Sequence, residues 1–191
     1  MSATRPQRNT TSLPNPDFVH PELVAPETGA QKVARYAMAA ARISLGWVFL
    51  WAFLDKTFGL GHETAHAAAW IRGGSPTKGF LAFGAAGPFK GFYHSIAGAP
   101  WADWLFMVGL LAIGVALLLG VTMRLAAGAG ALMLVLMWTV VLPPANNPVM
   151  DDHLIYAMLL VILAAAGAGA TLGLGRAWER LPFVEKNGWL K

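Results

Sequence analysis

The sequence predicts an all-α integral membrane protein: a four-helix bundle with short interfacial or re-entrant helices in a long outer loop. Three observations carry this. The 191-residue chain is 56% hydrophobic, only 13% of it is charged, and long apolar runs recur along it. Soluble domains carry about a quarter charged residues, so this chain has too little polar surface to coat a water-facing globule. Cysteine is absent, which excludes disulfides, thiolate nucleophiles and cysteine-held iron–sulfur clusters. The formal charge of +4 is spread over several short segments, which argues against a nucleic-acid partner.

Residues 1–33 read as a disordered cytoplasmic tail. The stretch Met1 to Gln31 has no apolar core to act as a signal peptide, and Pro6, Pro14, Pro16, Pro21 and Pro26 punctuate it. A membrane domain is predicted over 34–181. A spanning helix needs roughly 20 apolar residues to cross about 30 Å of hydrocarbon, and the runs at about 36–54, 104–121, 125–142 and 154–174 meet that need. The first contains one charge, Arg42. The second and third are joined only by Thr122-Met123-Arg124, which demands a tight antiparallel hairpin. The fourth follows Asp151-Asp152-His153 and ends among glycines. Pairs of small residues four apart, Ala126 with Gly130 and Gly169 with Gly173, suit close helix packing in lipid.

Arginine and lysine set the orientation. Arg5, Arg8, Lys32 and Arg35, then Arg124, then Arg176, Arg180, Lys186 and Lys191 fall on one side, which should be cytoplasmic. Both ends are therefore expected inside, with 182–191 a second cytoplasmic tail and Arg176 to Leu181 an interfacial anchor carrying Trp178.

The outer segment, Thr57 to Asp103, is too long and too aromatic for a plain connection. Short helices are expected near Glu63 to Arg72 and from Ser75-Pro76, roofing a pocket.

The polar residues are weighed singly. Arg42, about two turns inside the first helix, costs a few kcal/mol unless it snorkels or finds a partner; it is a substrate-binding candidate or a structural partner for buried carbonyls. Asp55 and Lys56 end the first helix on the outer side, where Asn146, Asn147, Asp151, Asp152, His153 and Tyr156 also gather. Such a set could bind a polar headgroup and pass protons, although Asp151 and Asp152 also suit helix capping without chemistry. His62-Glu63-Thr64-Ala65-His66 matches the H-E-x-x-H zinc pattern. Flanking Gly59 and Gly61, and His94 as the only nearby third histidine, argue against zinc, so no metal is expected.

Taken in order, four stretches resemble the DoxX/DoxD family of small bacterial membrane proteins over about Ala34 to Leu181. They are Arg42-x3-Gly46-x2-Phe49 running on to Phe53-Leu54-Asp55-Lys56-Thr57-Phe58-Gly59; Ala69-Trp70-Ile71-Arg72 through Leu81; Gly120 to Arg124; and Asp151-Asp152-His153-Leu154-Ile155-Tyr156. The resemblance implies the bacterial cytoplasmic membrane and the large subunit of a thiosulfate:quinone oxidoreductase (thiosulfate dehydrogenase). Such an enzyme oxidises thiosulfate to tetrathionate and passes electrons to a membrane quinone. In that reaction Lys56, Arg72 and Lys78 would attract the dianion, with Arg42, Asp55, Asn146, Asn147 and Tyr156 completing the polar site. Trp47, Trp51 and Trp138 would form the quinone slot, and Lys56, Asp152 and His153 would be catalytic. Without cysteine a covalent protein thiosulfonate is excluded, and a small partner subunit or soluble redox protein is expected. The alternative from another class is a non-catalytic scaffold anchoring soluble redox partners.

Overall fold

The computed structural model describes residues 26–191, and all regular structure among them is helical. Most of the expected 1–33 tail lies outside the described residues, but its last part is helical. Helix α1, Gly29–Phe58, starts earlier than predicted because Thr28 and Gln31 form a capping box, each side chain binding the other's backbone N–H. It ends at Gly59, whose left-handed backbone (φ 64°) lets its N–H reach Asp55 O at 2.7 Å.

Between α1 and the next long helix lie short helical turns and α2, Lys90–Ile96. Helix α3, Pro100–Leu119, runs back along α1. Gly120, with φ 72°, then turns the chain into α4, Met123–Val140. Helix α5, Asp152–Ala165, packs chiefly on α4, whereas α3 packs chiefly on α1. The end of the bundle where α1 begins is called basal below, and the end where α1 finishes apical.

Three helices, α1, α3 and α4, are long and apolar enough to cross a membrane. The expected continuous fourth helix over 154–174 is not formed. At 14 residues α5 reaches only about 21 Å. It stops where Gly167 turns left-handed (φ 64°), and residues 166–174 continue as an irregular strap with one 3-10 turn, Ala168–Ala170. The carboxy-terminal residues are likewise no free tail. Helices α6, Gly175–Glu179, and α7, Pro182–Lys186, lead to a last 3-10 turn, Gly188–Leu190, that packs on α4, and Val184 and Leu190 are buried. Arg124 donates its backbone N–H to Lys191 O (3.0 Å) and Nη1 to Gly188 O (2.9 Å), while Trp178 Nε1 donates to Leu190 O (2.7 Å).

The core is a seam of Leu45, Phe49, Met107, Ile113, Leu117 and Leu160. Glycines set its tightness. A Cβ at Gly46 would lie 2.9 Å from Leu118 N, and one at Gly114 would lie 2.8 Å from Leu50 N, so α1 and α3 meet backbone to backbone. Large aliphatic side chains such as Leu105, Val108, Leu132 and Ile162 face outward. In water that surface would be an association hazard; against acyl chains it is the ordinary exterior of a spanning bundle.

Candidate functional site

Arg42 is fully buried at the basal end, and its surroundings are backbone carbonyls. Its Nη1 donates to Leu117 O, which also accepts from Gly120 N (3.2 Å), and to Leu118 O (3.1 Å), carbonyls at the end of α3. Nη2 donates to Thr171 O (3.2 Å) and Leu172 O (2.9 Å) in the strap. Only Nε lacks a partner. Side chains would not fit beside the guanidinium: a Cβ at Gly120 would stand 2.9 Å from Nη1, and one at Gly173 would stand 3.0 Å from Nη2. With both terminal nitrogens bonded to the chain's own carbonyls and no ion pair to it among the described residues, Arg42 ties the end of α3 to the strap. Of the two expectations for it, these contacts are those of a structural partner for buried carbonyls.

The apical end is open. One groove, of about 490 Å³, runs along the last turns of α1. Its apolar wall is Trp47, Val48, Trp51 and Ala52; its polar end is Asp55, Lys56, His62 and Glu63. Trp47 and Trp51 lie 5.8 Å apart, and the His62 ring meets Trp51 edge-on at 5.1 Å. Asp55 is buried and holds the turn after α1, accepting from the backbone N–H of His62 (3.3 Å) and of Glu63 (3.0 Å). Its carboxylate is therefore engaged, and Lys56 beside it forms no ion pair among the described residues. Trp47 and Val48 are about half exposed on the outward face of α1, so the groove opens sideways as well as apically.

A second groove, of about 510 Å³, lies between the end of α4 and the start of α5. It is lined by Val141, Pro144, Ala145, Asn146, Met150, Asp151, Asp152 and His153. Asp151 caps α5 through Leu154 N (3.2 Å) and also binds His153 Nδ1 at 2.7 Å, which leaves Nε2 free. Asp152 is 3.5 Å from the same nitrogen. Ligand atoms of these three residues lie within 4.8 Å of one another, a spacing a divalent cation could use. Capping and the His153–Asp151 bond already account for the arrangement.

No family model, curated protein or solved structure matches the chain. The site's reading therefore rests on its own geometry.

That geometry divides the expected single site. Lys56 and Asp55 line one groove, Asn146, Asp152 and His153 the other, and the two share no lining residue. Tyr156 packs against the core seam and lines neither. Asn147 is used locally, its Oδ1 accepting from Val149 N and Met150 N at 2.9 Å each. Trp138 does not join Trp47 and Trp51; its Nε1 donates to Val149 O at 2.7 Å and pins the α4–α5 loop. Arg72 and Lys78 are exposed and line neither groove. The H-E-x-x-H residues do not sit on one α-helix, since 61–64 form bends and His66 opens a 3-10 turn. The two histidines thus lack the shared helical face that zinc sites of this type use.

Sequence reasoning missed two anchors. Asp103, buried in the first turn of α3, accepts at Oδ1 from Ser75 Oγ (2.9 Å), Thr77 N (3.0 Å) and Thr77 Oγ1 (2.6 Å). Tyr93 of α2 hydrogen-bonds Leu136 O and Thr139 Oγ1 on α4. The expected aromatic roof over a pocket is therefore not formed: Leu81, Ala85 and Tyr93 pack instead against Val140 on the flank of α4. The one available signal was a lone carboxylate, Asp103, preceding an apolar run and following a distant Ser-Pro-Thr.

Proposed function

We propose that the protein is a membrane redox subunit that holds a quinone in the α1 groove. The carrying observation is the groove's polarity: a tryptophan wall open toward the lipid side leads to an unpaired ammonium and an imidazole at the apical rim. An apolar slot ending in a few convergent polar groups is the usual form of a small-molecule site. In the proposed topology α5 and the strap together make the fourth crossing, with both chain ends in the cytoplasm.

The chain's own groups have distinct tasks in this reading. Trp47 and Trp51 take the ring and the start of the tail out of water. Lys56 Nζ donates to a carbonyl oxygen and opposes the negative charge that reduction brings to it. His62, held by its backbone bond to Asp55, is placed to deliver a proton at that rim. The DoxX/DoxD resemblance supplies the donor: two thiosulfate ions yield one tetrathionate and two electrons, and the quinone takes those electrons with two protons to become quinol. A sulfur oxyanion arriving from water would meet Lys56 first.

The test is quenching of tryptophan fluorescence by a short-chain ubiquinone analogue in nanodiscs, alongside thiosulfate-dependent quinone reduction. Trp51→Ala should weaken quinone binding about 10-fold, the size expected for losing roughly 1.4 kcal/mol of aromatic contact. Lys56→Ala should abolish reduction while the protein stays folded. Binding unaffected by Trp51→Ala defeats the site. Quinone binding without any reduction by thiosulfate removes the donor and leaves the scaffold reading, which a pull-down of a soluble redox protein would then support.

A further inference from the structure

We infer that the segment from Lys78 to Ile96 is an interfacial membrane anchor, seated in the apical leaflet of the bilayer beside α4 and not in water above it.

Depth is the first argument. Helix α4 has 18 residues and is about 27 Å long, so its whole length is needed to cross roughly 30 Å of hydrocarbon. The segment does not sit beyond the tip of that helix. Ala86 N donates to Val140 O (2.9 Å) at the last residue of α4, and the Tyr93 hydroxyl bonds Thr139 Oγ1 beside it and Leu136 O a full turn lower. A Cβ at Gly87 would collide with Leu142 O, so the backbones touch. A segment hydrogen-bonded along the final turn of a helix that just spans the bilayer lies at headgroup and upper-chain depth.

Sidedness is the second. Leu81 and Tyr93 point toward α4 and are buried, whereas Phe83 (89% exposed), Phe92 (61%) and Phe89 (47%) face away. Phe rings presented outward from short helices, whose inner face is already packed, match the apolar side of an interfacial helix. At the same end of the bundle Trp101 and Trp104 are also more than half exposed on the first turns of α3, as tryptophan often is at a membrane interface.

Charge is the third. From residue 64 to 102 the sequence contains Arg72, Lys78 and Lys90 and no Asp or Glu. Lys78 and Lys90 are exposed and flank the phenylalanines. The Asp103 carboxylate beside Thr77 is buried and already bonded to Ser75 and Thr77, so cations bordering an outward apolar face here are left to complement the phosphates of anionic phospholipid. This gives Lys78 a lipid partner, independent of the quinone reading.

The chain has no cysteine, so single cysteines can carry a nitroxide at chosen positions. Phe83→Cys and Phe92→Cys would be labelled in nanodiscs of mixed phosphatidylglycerol and phosphatidylcholine. Leu132→Cys, on the outward face of α4, is the lipid reference, and Asn146→Cys in the α4–α5 loop is the aqueous one. Spin relaxation by oxygen and by a water-soluble nickel chelate reads each environment. Both Phe sites should be relaxed by oxygen and protected from nickel, with an oxygen-to-nickel ratio several-fold above that of Asn146→Cys. Nickel access equal to Asn146→Cys puts the segment in water and overturns the inference. Protection from both reagents also overturns it, and names a second copy or another protein as the cover. Phe83 is so exposed that its replacement removes little packing, which keeps the result readable if Phe92→Cys folds poorly.

Discussion

The basal and apical ends of this bundle differ in how much of their polarity they leave open. At the basal end one cation, Arg42, is fully enclosed and its four acceptors are the chain's own carbonyls, two from the end of α3 and two from the strap. At the apical end Asp55 and Asp103 are enclosed and bonded to the chain, but Lys56, Asp152 and His153 line open concavities, and Lys56 has no ion-pair partner among the described residues. An ionisable residue inside an apolar helix is thus not a site by default. What decides is whether its hydrogen-bonding capacity is consumed by the chain or left for a ligand.

The largest expected effect tests that contrast directly. Arg42→Met removes a donor from four carbonyls, of which Leu117 O alone keeps another, the Gly120 N–H, and each buried group left without a partner costs about 1–3 kcal/mol. The variant should lose most of its folded population, read as yield and thermal midpoint in detergent, whereas Lys56→Ala should fold normally and fail only in quinone chemistry. An Arg42→Met protein as stable as the parent would erase the distinction between the ends.

A smaller effect is expected at Asp103, the buried carboxylate that serves the apical segment. Asp103→Ala strands the Thr77 hydroxyl and N–H and should cost about 1–2 kcal/mol. The loss should be local, appearing as faster hydrogen exchange at residues 75–78 with little change at the Arg42 cage. Uniform destabilisation of both ends would show them to be one cooperative unit.

The smallest effect lies beyond the bundle, where Glu27 accepts from Arg35 Nε (2.8 Å) and Nη2 (3.0 Å). That hydrogen bond, and Arg35's charge, hold the Glu27 carboxyl below its ordinary range. Because the folded value is the lower one, the contact's contribution is present above the unfolded carboxylate range and fades as pH falls through the folded value. Fraying of the first turn of α1, followed by a label at Gly29, should increase on acidification, and Glu27→Gln should remove that dependence.

Much of the helical frame was legible because apolar length sets a crossing and Gly120 to Arg124 leaves no room for anything but a hairpin. The apolar run through Leu174 misled at α5, since hydropathy measures depth and says nothing of whether Gly167, Gly169 and Gly173 keep helical backbone. The role of Arg42 was unreadable because its partners lie 75 to 130 residues further along the chain. Placing Asp55, Lys56, Asp152 and His153 at one end followed from counting crossings. Their division into two grooves did not, because it depends on α5 choosing α4 over α1 as its main neighbour.

The shortness of α5 has a consequence for the surrounding lipid. In the proposed topology, with α5 and the strap as the fourth crossing, the hydrocarbon below Ala165 would border residues 166–174, where no α-helix covers the peptide groups. Leu172 and Leu174 turn outward there, 63% and 55% exposed, while the Thr171 and Leu172 carbonyls turn inward to the guanidinium. Acyl chains on that flank therefore touch an aliphatic skin stretched over non-helical backbone, and one arginine keeps its oxygens out of the oil.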